Sequence, residues 1–142
     1  LLLMVPLVLA ASFESGFINY YPTLRPGQVA RLEHIPAWAA YLLYNTVYAS
    51  DFVWEELIFR GFLIIGMAGV LGRGAVLPMS VIYCFRHFAK PPGEAISSIF
   101  GGYILGVFAL RSRSVMGGVM VHVGVALLME LAALLQHTWN TP

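Results

Sequence analysis

The chain has 142 residues, of which 59% are hydrophobic and only 11% charged, and its mean hydropathy is +0.79. Soluble domains carry about 25% charged and about 45 to 50% apolar residues, so this composition excludes a soluble protein and implies a membrane one. Eight Lys and Arg against seven Asp and Glu leave a net charge of +1, too little to hold nucleic acid, and the single cysteine, Cys84, excludes an internal disulfide or a cysteine-based zinc site.

A spanning helix needs about 20 mostly apolar residues. The first apolar run, Leu1 to Phe13, is too short for this. It begins with Leu rather than Met and carries no signal-peptide pattern, so a missing amino-terminal helix or helices is expected before it. Glu14 to Ile35, polar and broken by Pro22, Pro26 and Gly27, reads as a loop. From Pro36 to Leu71 there is no interior proline, yet an unbroken helix of that length exceeds the bilayer core. Ser50 and Asp51, good N-cap residues, predict a break or kink there.

Gly72 to Gly74 reads as a turn around Arg73, followed by a shorter helix from Ala75 to about Phe88 that Lys90, Pro91, Pro92 and Gly93 stop. Glu94 to Leu110 reads as the next helix, with Gly102 and Gly106 at the spacing that lets helices approach closely. Arg111 to Ser114 is a polar turn, and Val115 to about Gln136 is the longest clean span. The expected fold is all-α, a polytopic transmembrane helical bundle forming one domain over residues 1–142. The positive-inside count nearly ties: Arg73, Arg111 and Arg113 on one side, Arg25, Arg31 and Lys90 on the other. The first set, in short loops, is read as cytoplasmic.

Four ionisable residues fall within ten positions of an apolar stretch: Asp51, Glu55, Glu56 and Arg60. Charge at bilayer depth costs at least a few kcal/mol, so such groups usually face a protein-lined cavity and serve a function. Glu56 and Arg60 stand at i and i+4 in the favourable acid-first order and can neutralise each other. Glu55 is turned by about 100° from Glu56 and has no such partner in its own segment, which is the profile of a general base or acid. The alternative is that Asp51, Glu55 and Glu56 are solvated at the membrane edge. His87 ends the helix that carries Tyr83 one turn earlier, and His122 lies mid-way along the last span between the small residues Gly118 and Ala126. These neighbours leave room for a ligand or for close helix packing. His34 and His137 lie at polar ends and are assigned no role.

The run Glu55, Glu56, Leu57, Ile58, Phe59, Arg60, Gly61 resembles the EExxxR motif of the CPBP intramembrane proteases, the family of the CAAX prenyl endopeptidase and of bacteriocin self-immunity relatives. Tyr83 to His87 resembles its FxxxH motif, with tyrosine for phenylalanine, and His122 resembles the histidine of its HxxxN motif. The resemblance covers about Val53 to Glu130. Four residues after His122, where the family often has asparagine, this chain has Ala126. The resemblance implies an intramembrane endopeptidase in which Glu55 and His87 activate water, His122 holds the oxyanion, and Glu56 with Arg60 forms a supporting pair. It implies a peptide or protein substrate, with a lipidated or membrane-embedded segment as one option, and a bacterial inner membrane location.

A metal mechanism stays open beside this one, with Glu55, His87 and His122 as ligands of a divalent ion such as zinc, although no HExxH motif is present. So does a catalytically silent protein that binds a peptide or partner in the same cavity, to which the alanine at 126 points. A proton or ion carrier using Asp51, Glu55 and His87 is the third reading.

Overall fold

The computed structural model describes residues 2–29, 31 and 34–140; Leu1, Ala30, Leu32, Glu33, Thr141 and Pro142, and the parts of the first run, the loop and the tail they occupy, lie outside it. Every regular element among the described residues is helical. In chain order these are α1 (Met4–Ala11), α2 (Ser15–Tyr20), α3 (Pro26–Val29), α4 (Ala37–Glu56), a π-helix (Leu57–Gly66), α5 (Ala68–Leu71), a 3₁₀ turn (Gly72–Ala75), α6 (Val76–Phe85), α7 (Pro92–Ser112) and α8 (Met116–Asn140). Among the described residues three stretches are long and apolar enough to cross a membrane: Ala68–Phe85, Pro92–Ser112 and Met116–Trp139.

Two expectations are corrected. The segment between Glu14 and Ile35 is not all loop, because Phe17 and Tyr21, one helical turn apart, bury together with Ala133 and draw Ser15–Tyr20 into a helix. The predicted break at Ser50 and Asp51 does not occur. Ser50 Oγ donates back to the carbonyl of Val47 at 2.6 Å, so it is spent within α4 and caps no new helix. The winding changes later, at Leu57, where the i to i+5 bonding of a π-helix takes over directly after Glu56.

The chain forms two compact units, residues 1–51 with 123–142, and residues 52–122. In the first, the backbone N–H of Thr23 donates to both carboxylate oxygens of Glu130 at 3.1 Å, and the Thr23 hydroxyl also donates to it. The buried Glu130 is thereby accounted for as a structural acceptor.

In the second unit, Phe59, Ile64, Val76, Met79 and Tyr83 form the core. Helix α7 shows an inverted pattern: Ile96, Phe100, Ile104 and Phe108, four apart, are exposed, whereas Ser98, Gly102, Gly106 and Ala109 are buried. Large side chains outward and small ones inward is the pattern of a helix that faces lipid on one side and protein on the other. The close approach predicted from the glycines is present. A Cβ on Gly102 would stand 2.9 Å from Tyr83 Cδ1, and one on Gly106 would stand 2.8 Å from Met79 Cε. This packing fixes α6, and with it Tyr83, against α7. The turn into α8 is set by Arg113 in the left-handed region at φ 56°.

Candidate active site

All the polar residues singled out between positions 55 and 122 lie in the second unit. Glu55 and Glu56 are neighbours in the last turn of α4, so their side chains leave the helix in different directions and meet different partners. Both are buried.

Glu56 faces α8 and the π-helix. Its Oε1 lies 2.9 Å from Arg60 Nη1 and 3.1 Å from His122 Nδ1. Neither Glu56 nor Arg60 has any solvent exposure. The Arg60 contact is an ion pair without a directed hydrogen bond, and the guanidinium carbon instead lies 4.3 Å from the centroid of the Tyr83 ring. A desolvated cation over an aromatic face is worth about 2 kcal/mol, which partly offsets the lack of directed bonds. The other oxygen, Oε2, lies against Gly118. A Cβ there would fall 2.9 Å from the Glu56 carboxylate carbon and would overlap Oε2 outright. Of the two purposes open for Gly118, the room it leaves is taken by this carboxylate.

Tyr83 joins the two histidines. Its carbonyl oxygen is 3.1 Å from His87 Nδ1 and its hydroxyl 3.2 Å from His122 Nε2. A carbonyl only accepts, so Nδ1 of His87 carries the hydrogen and Nε2 is left as the acceptor in the neutral ring. A carboxylate likewise only accepts, so His122 donates from Nδ1 to Glu56, and in the neutral ring its Nε2 accepts from the Tyr83 hydroxyl. The Tyr83 ring stands 4.6 Å, centroid to centroid, from that of His87, and Phe59 meets it edge-on at 5.3 Å. Phe52 packs on the other ring, that of His122, at 4.5 Å.

His87 lies in the turn after α6 and is 5% exposed. Burial pushes its imidazole below the ordinary histidine value. The Tyr83 carbonyl opposes this, Lys90 adds to it, and Glu94 and Glu55 oppose it.

Glu55 accepts from Arg86 Nε at 3.3 Å, while the arginine is 65% exposed. The absence of a partner in its own segment therefore holds, and the partner comes from the turn after α6. Sequence reasoning missed Arg86 because nothing in spacing links positions 55 and 86. The signal that was present is the helix-ending arginine one residue before His87.

The structure brings Glu56, Arg60, His122 and Tyr83 into one bonded network, with His87 attached through Tyr83. Glu55 makes its bond to Arg86 and to neither histidine. Asp51 lies in the other unit. Among the described residues no three His, Cys, Asp or Glu side chains are grouped to hold a metal ion. For Glu55, His87 and His122 the reason lies in two of the three: both ring nitrogens of His122 are committed to protein partners and Glu55 to Arg86, whereas His87 keeps Nε2 open. The proposed ligand trio does not fit a metal here. A cavity of about 310 Å³ lined by Arg73, Val76, Tyr103, Val107, Leu110 and Arg111 includes none of the network's residues.

One comparison with known proteins finds a match for this chain. The family model of the type II CAAX prenyl endopeptidase Rce1-like proteins matches residues 34–128, well over half of the chain and all of the network. The chain belongs to the Rce1-like family. Membership supports an intramembrane protease function of CAAX type in general, acting on a peptide or protein in a membrane, and the apolar helices make the chain an integral membrane protein. No curated protein and no solved structure matches it.

Proposed function

We propose that the chain is an endopeptidase that hydrolyses a peptide bond with a water activated by Glu55 and His87, and that its substrate is a peptide carrying a prenylated or membrane-embedded segment. Peptide hydrolysis needs a base for the attacking water, a proton donor for the leaving amine and a donor for the oxyanion. The observation that carries the reading is the state of His87. Its Nδ1–H is held by the Tyr83 carbonyl and burial favours the neutral ring, so Nε2 is an available acceptor within electrostatic range of the Glu55 carboxylate.

In the forward step the water oxygen bonds to the carbonyl carbon and its proton passes to the Glu55 and His87 pair. That proton then goes to the leaving nitrogen as the carbon–nitrogen bond breaks. The ion pair of Glu56 and Arg60 holds α4 and the π-helix in register and fixes the His122 ring. The family's CAAX prenyl endopeptidase activity supports a prenylated peptide with a CAAX terminus as the first substrate to try.

The test is a proteolysis assay in detergent on a fluorogenic farnesylated CAAX peptide, with wild type and Glu55→Ala. Cleavage by wild type that Glu55→Ala abolishes is the expected result. Peptide binding without cleavage by either protein would favour the silent binding protein instead.

A further inference from the structure

Both ring nitrogens of His122 are used inside the protein, Nδ1 as donor to Glu56 at 3.1 Å and Nε2 as acceptor from the Tyr83 hydroxyl at 3.2 Å. With both nitrogens engaged, the imidazole has no free N–H left to offer a substrate. The outermost hydrogen-bond donor of the chain that runs from Glu56 through His122 is the Tyr83 hydroxyl. Resting on the protease reading above, we infer that Tyr83 donates the side-chain hydrogen bond to the carbonyl oxygen of the scissile peptide as negative charge develops there, with His122 and Glu56 positioning it.

Three features support this role. The hydroxyl and the base candidate lie four residues apart, at the end of α6 and in the turn that follows it, with the Tyr83 and His87 rings 4.6 Å apart, so donor and base approach a substrate together. The ring is held by Phe59 at 5.3 Å, by the Arg60 guanidinium at 4.3 Å and by the close approach of Gly102. A donor fixed before reaction requires no reorganisation during it, which is the source of most oxyanion stabilisation. Finally, the phenolic hydrogen has two in-plane orientations, so turning from His122 Nε2 to the oxyanion is rotation about one C–O bond. No proton leaves the phenol. The water oxygen bonds the carbonyl carbon, the carbonyl π pair moves onto oxygen, and the water's proton goes to the base.

The test is Tyr83→Phe, which removes the hydroxyl and keeps the ring, measured beside His122→Ala and the double variant. Loss of one oxyanion donor typically lowers kcat by about 10² to 10³. Tyr83→Phe is expected to lose that much with KM little changed, and the double variant to be no slower than the slower single one, since the two act as a unit. Affinity for a peptide phosphonate, an oxyanion mimic, falls with kcat/KM, while affinity for uncleaved peptide stays. The binding measurement reads the hydroxyl's role even where the variant melts early. A wild-type kcat in Tyr83→Phe, or unchanged phosphonate affinity, overturns the inference alone, provided that wild type cleaves and Glu55→Ala does not. A wild type that cleaves nothing overturns the protease reading and this inference with it.

Discussion

Glu56 and His122 stand 66 residues apart in the chain and meet with Oε1 3.1 Å from Nδ1, at a carboxylate that also pairs with Arg60. One fully buried acid thus serves a cation on its own segment and a histidine on α8. The neighbouring Glu55 carries neither burden. Glu56→Gln leaves the Arg60 charge buried and uncompensated and is expected to cost about 3 to 5 kcal/mol. Glu55→Gln is expected to leave stability nearly unchanged while stopping cleavage. Chemical or thermal unfolding of both variants in the same detergent checks the contrast, and equal losses would contradict it.

Arg60→Ala strands Glu56 in the same way and should lower melting temperature and activity together. Arg60→Lys should recover little, because an ammonium cannot reproduce a planar guanidinium lying 4.3 Å over the Tyr83 ring. Full recovery with lysine would mean that charge alone matters at this position.

Gly118→Ala places a methyl where the Glu56 carboxylate lies. Overpacking of this kind typically costs about 1 to 3 kcal/mol. Because the displaced group is the one that orients His122, cleavage should fall further than stability does. Wild-type turnover in Gly118→Ala would show that the carboxylate can move without consequence.

How much of this site was legible beforehand follows from which pairs share a segment. The Glu56 and Arg60 pair, the divergence of Glu55 from Glu56 and the close approach at Gly102 and Gly106 all follow from helical spacing, and the structure has each of them. Partners on different segments were not legible: Arg86 for Glu55, Tyr83 for His122 and Thr23 for Glu130 have no periodic relation to one another. The break near Ser50 was misplaced because a hydroxyl that can cap a new helix can equally bond back to its own, as Ser50 does to Val47. The helix over Ser15–Tyr20 was hidden by flanking prolines and polar residues, and its two buried aromatics, Phe17 and Tyr21, were the cue.

Arg86→Ala tests the charge partner that Glu55 has among the described residues. The arginine is 65% exposed, and exposed ion pairs contribute about 0 to 1 kcal/mol, so melting should barely change. Activity is where its loss should appear, since Glu55 then loses the contact that orients it. Unaltered turnover would assign Arg86 to the surface alone.

His87 provides a pH test. Burial holds its folded-state pKa below the value of 6.5 that it has when unfolded, so between the two the unfolded chain binds more protons. Its contribution to stability is fully present above pH 6.5 and is lost as pH falls through the folded-state value. Melting temperature and kcat/KM should therefore decline together on acidification below about 6.5, and His87→Gln should flatten the melting curve in that window. A wild-type curve as flat as that of the variant would contradict the buried neutral ring.

The most direct measurement on the central claim is turnover of the farnesylated peptide by Glu55→Ala, His87→Ala and the double variant, at matched folded protein. If the two side chains activate one water together, each single change removes about 10² to 10⁴ in kcat, and the double variant is no slower than the slower single. Single variants that retain wild-type turnover, or losses that multiply in the double, would contradict a shared water-activating pair.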